Sequence, residues 1–343
     1  MTIEFGIFDH LDQRKDESLA DTYADRLRFI EAAEAAGFRN YHLAEHHGTP
    51  LGMAPSPNVF LSAVAANTSK IRFGPLVYVA PAYSPLRLLE EICMLDNLSM
   101  GRLEFGLGRG VSPIEIKYYG LDPSETVAML IEADEIIASG LTSDTLTFHG
   151  KHYHYDNVPL TIGSLQKPIP MWSAARSPEG LELASIRGMH SVSLGSIDMV
   201  KAVSASYREC WEKNRDKRLE GVPKSPFIGA YRLIYVNEDE SKAREIGESA
   251  FDDWCWKLEK LWKENDLVIP FLTMLGSFDI ASDCGMLVCG TPDQVIEKLK
   301  YQVDETGINY LALQIAFGNL GHAEEMRSLE RIGRKVMPAL KSS

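Results

Sequence analysis

The chain has 343 residues, 45% hydrophobic and 24% charged, which is enough apolar content for a large core and too much for disorder or a fibrous repeat. Asp and Glu outnumber Lys and Arg by 48 to 35, and the net charge of -13 repels phosphate backbones and anionic lipid headgroups, so neither nucleic acid nor a membrane is an expected partner. Five cysteines without a CxxC pair, and an amino-terminal stretch carrying Glu4 and Asp9 where a secretory signal needs a basic start and an apolar run, point to free thiols in a cytoplasmic protein.

From residue 3 onward, short apolar runs alternate with amphipathic stretches, the pattern of parallel strands crossed by helices. IEFGIF at 3–8 is the first strand. Ser18, with Asp21 three residues later, opens a helix with Leu19, Tyr23, Leu27 and Ile30 on one face, and Gly37 closes it. NYHLAEHH at 40–47 is the second strand, followed by a helix near 58–68. IRFGPLVYVAP at 71–81 is almost continuously apolar, as a strand buried on both faces is. A helix over 84–102 leads to LEFGLGRG at 103–110, the fourth strand and its loop, and then to a helix near 125–139. LTFHGKHYHYDNVPL at 146–160 turns at Gly150 between two alternating aromatic runs and reads as an inserted hairpin.

The rhythm resumes with IPMWSAA at 169–175 and a helix from Ser177, HSVSLG at 190–195 and a helix to about 214, FIGAYRLIYV at 227–236 and a helix to about 263, and NYLALQIAF at 309–317 with a final helix. Eight parallel units, none written as a protected edge, predict one (β/α)8 TIM barrel domain over 1–343, with insertions after strands four and seven. The second insertion, about 264–285, has an apolar middle, LVIPFLTMLGSF, and is expected to close over the site.

Barrel active sites form at the carboxyl ends of the strands, so the residues closing each run are the candidates. Strand two offers Glu45, His46 and His47; strand four, Gly108, Arg109 and Gly110; strand five, Arg176 and Ser177. Adjacent residues on a strand point to opposite faces, so His46 and His47 would not share a metal, and no metal site is expected. Arg109 between two glycines suits an anion, and the helix opened by Ser177, Pro178 and Glu179 offers free N–H groups and a dipole to a phosphate. As neighbours in a barrel, the two loops could clamp one phosphate. Each also has a plainer structural reading: a surface ion pair for Arg109, capping for Ser177, a carbonyl-bonded imidazole for His46.

AEHH at 44–47, SPNVFLSAVAANT at 56–68, SPLRLLEEICMLDNLSMGRLEFGLGRGVSP at 84–113, SPEG at 177–180 and GTPDQVIEKL at 290–299 together make the chain resemble the bacterial luciferase-like, flavin-dependent monooxygenases from end to end. The resemblance implies a barrel that uses FMN in its reduced form, molecular oxygen as co-substrate, and a separate NAD(P)H:flavin reductase. It implies that His46, preceded by Glu45, is the active-site base, that Arg109 and Ser177 hold the flavin phosphate, and that Leu76-Val77 is a cis peptide under the flavin ring. Gly108 stands where the luciferases carry a reactive cysteine and Arg176 where they carry a glutamate, which speaks against light emission and leaves flavin binding intact.

The expected activity is oxygenation of a small, largely apolar aldehyde, ketone or aromatic compound. The alternatives are hydride transfer with the deazaflavin F420, or a flavin-binding protein without catalysis. A homodimer is also expected, by the resemblance and because the helices over 58–68 and 85–98 are apolar on more than one face.

Overall fold

The computed structural model describes residues 3–15, 17–218, 220–269 and 275–341. Its strands are β1 (Glu4–Asp9), β2 (Asn40–Leu43), β3 (Arg72–Pro75), β4 (Tyr78–Val79), β5 (Phe105–Gly108), β6 (Thr145–His149), β7 (His154–Pro159), β8 (Met171–Ser173), β9 (His190–Ser193), β10 (Ile228–Val236), β11 (Leu287–Gly290) and β12 (Tyr310–Gln314). The α-helices are α1 (Leu19–Ala36), α2 (Pro57–Asn67), α3 (Pro85–Leu98), α4 (Pro113–Tyr118), α5 (Thr126–Gly140), α6 (Pro178–Ile186), α7 (Ile197–Lys213), α8 (Glu240–Lys263), α9 (Phe278–Asp283), α10 (Pro292–Thr306), α11 (His322–Arg331) and α12 (Met337–Lys341).

All pairings in the large sheet are parallel, in the order β3, β2, β1, β12, β10, β9, β8, β5, β4. β3 and β4 are two halves of the third strand of the sequence reading, interrupted at Leu76–Val77, whose peptide bond is cis. The first half pairs with β2 and the second with β5, and a bridge from Phe73 to Leu103 completes the closure. The result is the (β/α)8 barrel. The hairpin β6–β7 is antiparallel and lies between the fourth and fifth barrel strands.

Local chemistry sets the helix ends where the sequence reading put them. Ser18 caps α1 by accepting from the Asp21 N–H, and Gly37 ends it in the left-handed conformation. Thr291 and Gln294 form a reciprocal capping box on α10. Inside the barrel, Gly6 is required because a Cβ there would stand 1.8 Å from the Tyr310 hydroxyl. That hydroxyl instead meets His42 Nε2 at 2.7 Å.

Three readings need correction. Strand two ends at Leu43, so Glu45, His46 and His47 lie in the loop beyond it, and strand alternation does not govern where their side chains point. Residues 113–118 form a helix, α4, that the sequence reading left inside a loop. The insertion after strand seven is followed by a strand of its own, β11, four residues too short to stand out as a periodic run; it pairs with the carboxyl half of the nine-residue β10, whose amino half pairs with β12. As for the expected lid, residues 270–274 lie outside the described residues. Of its flanks, Ile269 packs on Ile114, Leu261 and Trp262, and Leu275 joins the core that contains Trp254 and Phe278.

Candidate active site

At the carboxyl end of β2, the chain turns Glu45, His46 and His47 into three different hydrogen-bonding environments. The Glu45 carboxylate is buried and accepts from the Val79 N–H at 3.0 Å and the Tyr83 hydroxyl at 2.9 Å through one oxygen, and from His47 Nε2 at 2.9 Å through the other. It therefore ties the loop after β2 to the segment that follows the cis bond. Tyr119, on the far side, bonds His47 Nδ1 at 2.7 Å, so His47 is spoken for at both nitrogens.

His46 Nδ1 faces the Glu115 carboxylate at 3.2 Å, while the other Glu115 oxygen accepts from the His47 N–H at 2.8 Å. Burial disfavours a charged imidazole here, yet the Glu115 carboxylate and the more distant Glu45 outweigh it and hold the His46 pKa above its ordinary value. Burial likewise works against an ionised Glu115, and His46 with the His47 N–H overcomes it and holds that carboxyl low. Both shifts favour the pair as an imidazolium beside a carboxylate. Sequence reasoning missed Glu115, although a signal for its helix was present: Ser112, Pro113 and Glu115 have the spacing of a helix start, and Ser112 does accept from the Glu115 N–H.

Two spaces open beside this pair. One of about 280 Å³ is bounded by Glu45, His47, Val79, Gly110 and Tyr119; another of about 320 Å³ is bounded by Thr49, Leu51, Leu258 and Trp262, and His46, Val111 and Glu115 line both.

The anion-suited elements sit two barrel strands away. β5 and β8 are hydrogen-bonded neighbours, so the loops that follow them, carrying Arg109 and Arg176–Ser177, share one side of the mouth. Arg109, Arg176, Ser177, Pro178 and Glu179 are all exposed. Ser177 caps α6, accepting from the Gly180 N–H at 3.2 Å. Among the described residues neither Arg109 nor Arg176 has an ion-pair partner, in a chain with 13 excess negative charges. Unpaired Arg176 beside the amino end of the nine-residue α6, with unpaired Arg109 in the neighbouring loop after β5, makes a donor set that fits a phosphate dianion. Val77 is packed against Gly108, where an added Cβ would fall 2.4 Å from Val77 Cγ2, so a cysteine at 108 would have to displace it. The structure thus packs Val77 against Gly108 and gathers His46, Val79 and Gly110 around one space, with Arg109 and Ser177 exposed in the loops after β5 and β8. Among the described residues no group of three His, Cys, Asp or Glu side chains is arranged to hold a metal ion.

A family model described as luciferase-like monooxygenase matches residues 3–310, and the chain belongs to that family of flavin-dependent oxidoreductase enzymes. An uncharacterized protein of Sinorhizobium fredii is 39% identical over 319 residues, 93% of this chain and 92% of the relative. The oxygenase component of a flavin-dependent trigonelline monooxygenase from Acinetobacter baylyi is 25% identical, covering 99% of this chain and 96% of its own. Among solved structures, a monooxygenase from Streptomyces bottropensis superimposes with a TM-score of 0.87 at 23% identity, covering 98% and 99% of the two chains. The oxygenating constituent of 3,6-diketocamphane monooxygenase from Pseudomonas putida, in complex with FMN, gives 0.79 at 19% identity and 98% of each chain. An F420-dependent secondary alcohol dehydrogenase gives 0.76 at 19% and 99% of each. At these identities the solved structures support the fold alone.

Proposed function

We propose that the chain is the oxygenating component of a two-component monooxygenase that takes reduced FMN and molecular oxygen and oxygenates a small, largely apolar aldehyde, ketone or aromatic substrate. The observation that carries the reading is the separation of charged groups among the loops at the carboxyl ends of the strands: unpaired Arg109 and Arg176, with Ser177, after β5 and β8, and the His46–Glu115 pair beyond β2. Reduced flavin supplies the electrons for activating oxygen; the chain supplies position, dryness and one proton. Arg109, Arg176, the Ser177 hydroxyl and the N–H group of Glu179, which follows Pro178, would hold the phosphate. Leu76 and Val77 would back the flavin ring, and Gly108 would keep the space beside it open. His46 holds a proton that it can donate at Nε2, and Glu115 positions and charges it. Glu45 acts at one remove, by fixing the backbone of Val79.

The electrons come from a separate NAD(P)H:flavin reductase, since GLGRGV at 106–111 opens no Rossmann unit. The exposed Val59 of α2, Met94 and Leu98 of α3, and Met100 just beyond form an apolar face that supports a homodimer; sedimentation equilibrium should give twice the chain mass, and a monomer at micromolar concentration would remove this part. Cys93, Cys210, Cys255 and Cys289 are free thiols, which fits the cytoplasm. The test of the activity is oxygen uptake by the purified protein given photoreduced FMN and a panel of aldehydes, ketones and aromatics. Substrate-dependent uptake with an oxygenated product is expected; turnover only with F420, and without oxygen, would replace the reading with hydride transfer.

A further inference from the structure

β1 ends one residue before His10, and the ring of His10 lies 5.5 Å from that of His46, centroid to centroid. In the barrel order, β1 is the strand directly opposite β8, which carries the loop of Arg176 and Ser177. His10 and the phosphate-suited loop therefore stand on opposite sides of the barrel mouth, and a flavin held by Arg176 and Ser177 would leave the His10 side for substrate.

His10 is locked by a second layer of residues. Its Nδ1 is 2.9 Å from Gln314 Oε1, and the Tyr231 hydroxyl donates to the same oxygen at 2.5 Å. The Gln314 amide nitrogen faces the Ala316 carbonyl, which fixes which end of the amide is oxygen. An amide oxygen only accepts, so the proton of a neutral His10 is on Nδ1 and its Nε2 carries a lone pair. Burial, with His46 as a charged neighbour, pushes the His10 pKa down to about 3, which keeps the ring neutral. His46 is the reverse: its Nδ1 is held 3.2 Å from the Glu115 carboxylate, which favours the protonated ring and with it an N–H at Nε2. Among the described residues neither Nε2 has a hydrogen-bond partner. Two neighbouring imidazoles therefore offer complementary atoms, His10 Nε2 accepting and a protonated His46 donating. The group that answers both at once is a hydroxyl.

The surroundings of His10 are aromatic, with Phe8 partly exposed and Tyr231 and Trp254 buried behind it. Phe8 meets His10 edge to face at 5.2 Å and meets Tyr231 at 4.9 Å in the same manner, and the Trp254 indole lies 5.9 Å from the His10 ring. Such surroundings take an aromatic ring in preference to a flexible chain. We propose that His10 is a substrate-binding residue, and that His10 and His46 bracket the hydroxyl of a phenolic substrate, His10 Nε2 accepting from it and His46 donating to it. The proposal rests on the flavin-oxygenase reading and narrows its substrate class from aldehyde, ketone or aromatic to phenol.

The experiment uses FMN-loaded protein and two probe pairs in which a methyl replaces the hydroxyl: phenol with toluene, and 2-naphthol with 2-methylnaphthalene. The hydroxyl member of at least one pair should bind about tenfold more tightly, the yield of one net hydrogen bond. On binding, the nitrogen-15 resonance of His10 Nε2 should move. His10→Phe should erase the preference and keep FMN affinity. Equal binding within both pairs, absent binding included, or a preference that survives His10→Phe, overturns the proposal. If His10→Phe fails to fold, the unaltered protein still decides, because a bound phenol that leaves the His10 Nε2 resonance unmoved contradicts it. FMN binding is recorded first in the same samples, so loss of the flavin site, which would undo the functional reading, is distinguished from absence of a hydroxyl preference.

Discussion

The two ends of the barrel both hold buried histidines, glutamates and arginines, and they differ in whether those groups are finished. At the amino end, Glu104 accepts from Trp172 Nε1 at 2.6 Å, from Asn40 Nδ2 at 2.8 Å and from Arg39 at 3.0 Å, and Arg72 closes on the same carboxylate. Arg39 in turn lies 4.6 Å above the Phe227 ring. No side of that carboxylate is left for a ligand. At the carboxyl end, His46 is tied at one nitrogen only, and Arg109 and Arg176 are unpaired among the described residues. Perturbed ionisation occurs at both ends, so it does not mark the site by itself; the open valence does.

The contrast is sharpest in what removal should cost. Burial alone would raise the Glu104 pKa, but Arg39 and Arg72, with His190, hold it down at about 2. Replacing Glu104 with Ala leaves two cations facing a buried gap, and urea unfolding should show a loss of about 3–5 kcal/mol. The sign with pH follows: a depressed carboxylate stabilises the fold fully above the unfolded value of about 4.3, and that stabilisation is lost as pH falls toward 2. Acid titration of the unaltered protein should show this loss, and Glu104→Ala should show a smaller one, because Glu115 and Glu34 are still held low. A variant as stable as the parent would mean that the amino end is not the scaffold described.

At the other end the same kind of deletion should spare the fold and remove chemistry. His46→Ala is expected to keep FMN affinity and lose turnover by about 10²–10⁴, the usual worth of a positioned proton donor. Normal turnover in a variant of lowered melting temperature would make His46 a scaffold residue like His42. Glu115→Gln should do less. With the carboxylate gone, the His46 pKa falls from its raised value, so the alkaline limb of the pH–rate profile, along which the donor loses its proton, should move to lower pH. An unmoved limb would show that Glu115 does not charge His46.

How much of this was legible in the sequence follows from the range over which each interaction acts. The eight barrel strands, the caps at Ser18, Gly37 and Ser177, and the hairpin about Gly150 depend on neighbours within a few residues, and they were readable. So was the placing of His46, Arg109 and Ser177 at strand ends, where the barrel makes position predict solvent access. What was not readable was pairing. Glu115 reaches His46 across 69 positions and Gln314 reaches His10 across 304, and no periodicity records such contacts. His10 itself, one residue beyond a short apolar run, was indistinguishable from a polar strand end. β11 was hidden for another reason: four apolar residues between a helix and a Thr-Pro cap carry no period to count.

The measurement that bears most directly on the account is an FMN titration of the purified protein and its Arg109→Ala variant, read by calorimetry, with F420 titrated alongside. An exposed guanidinium with no ion-pair partner other than a bound phosphate should contribute about 1.5–3 kcal/mol, so the variant should bind FMN roughly tenfold to a hundredfold more weakly. Equal FMN affinity in the two proteins, or tight binding of F420 with none of FMN, would contradict the site as described.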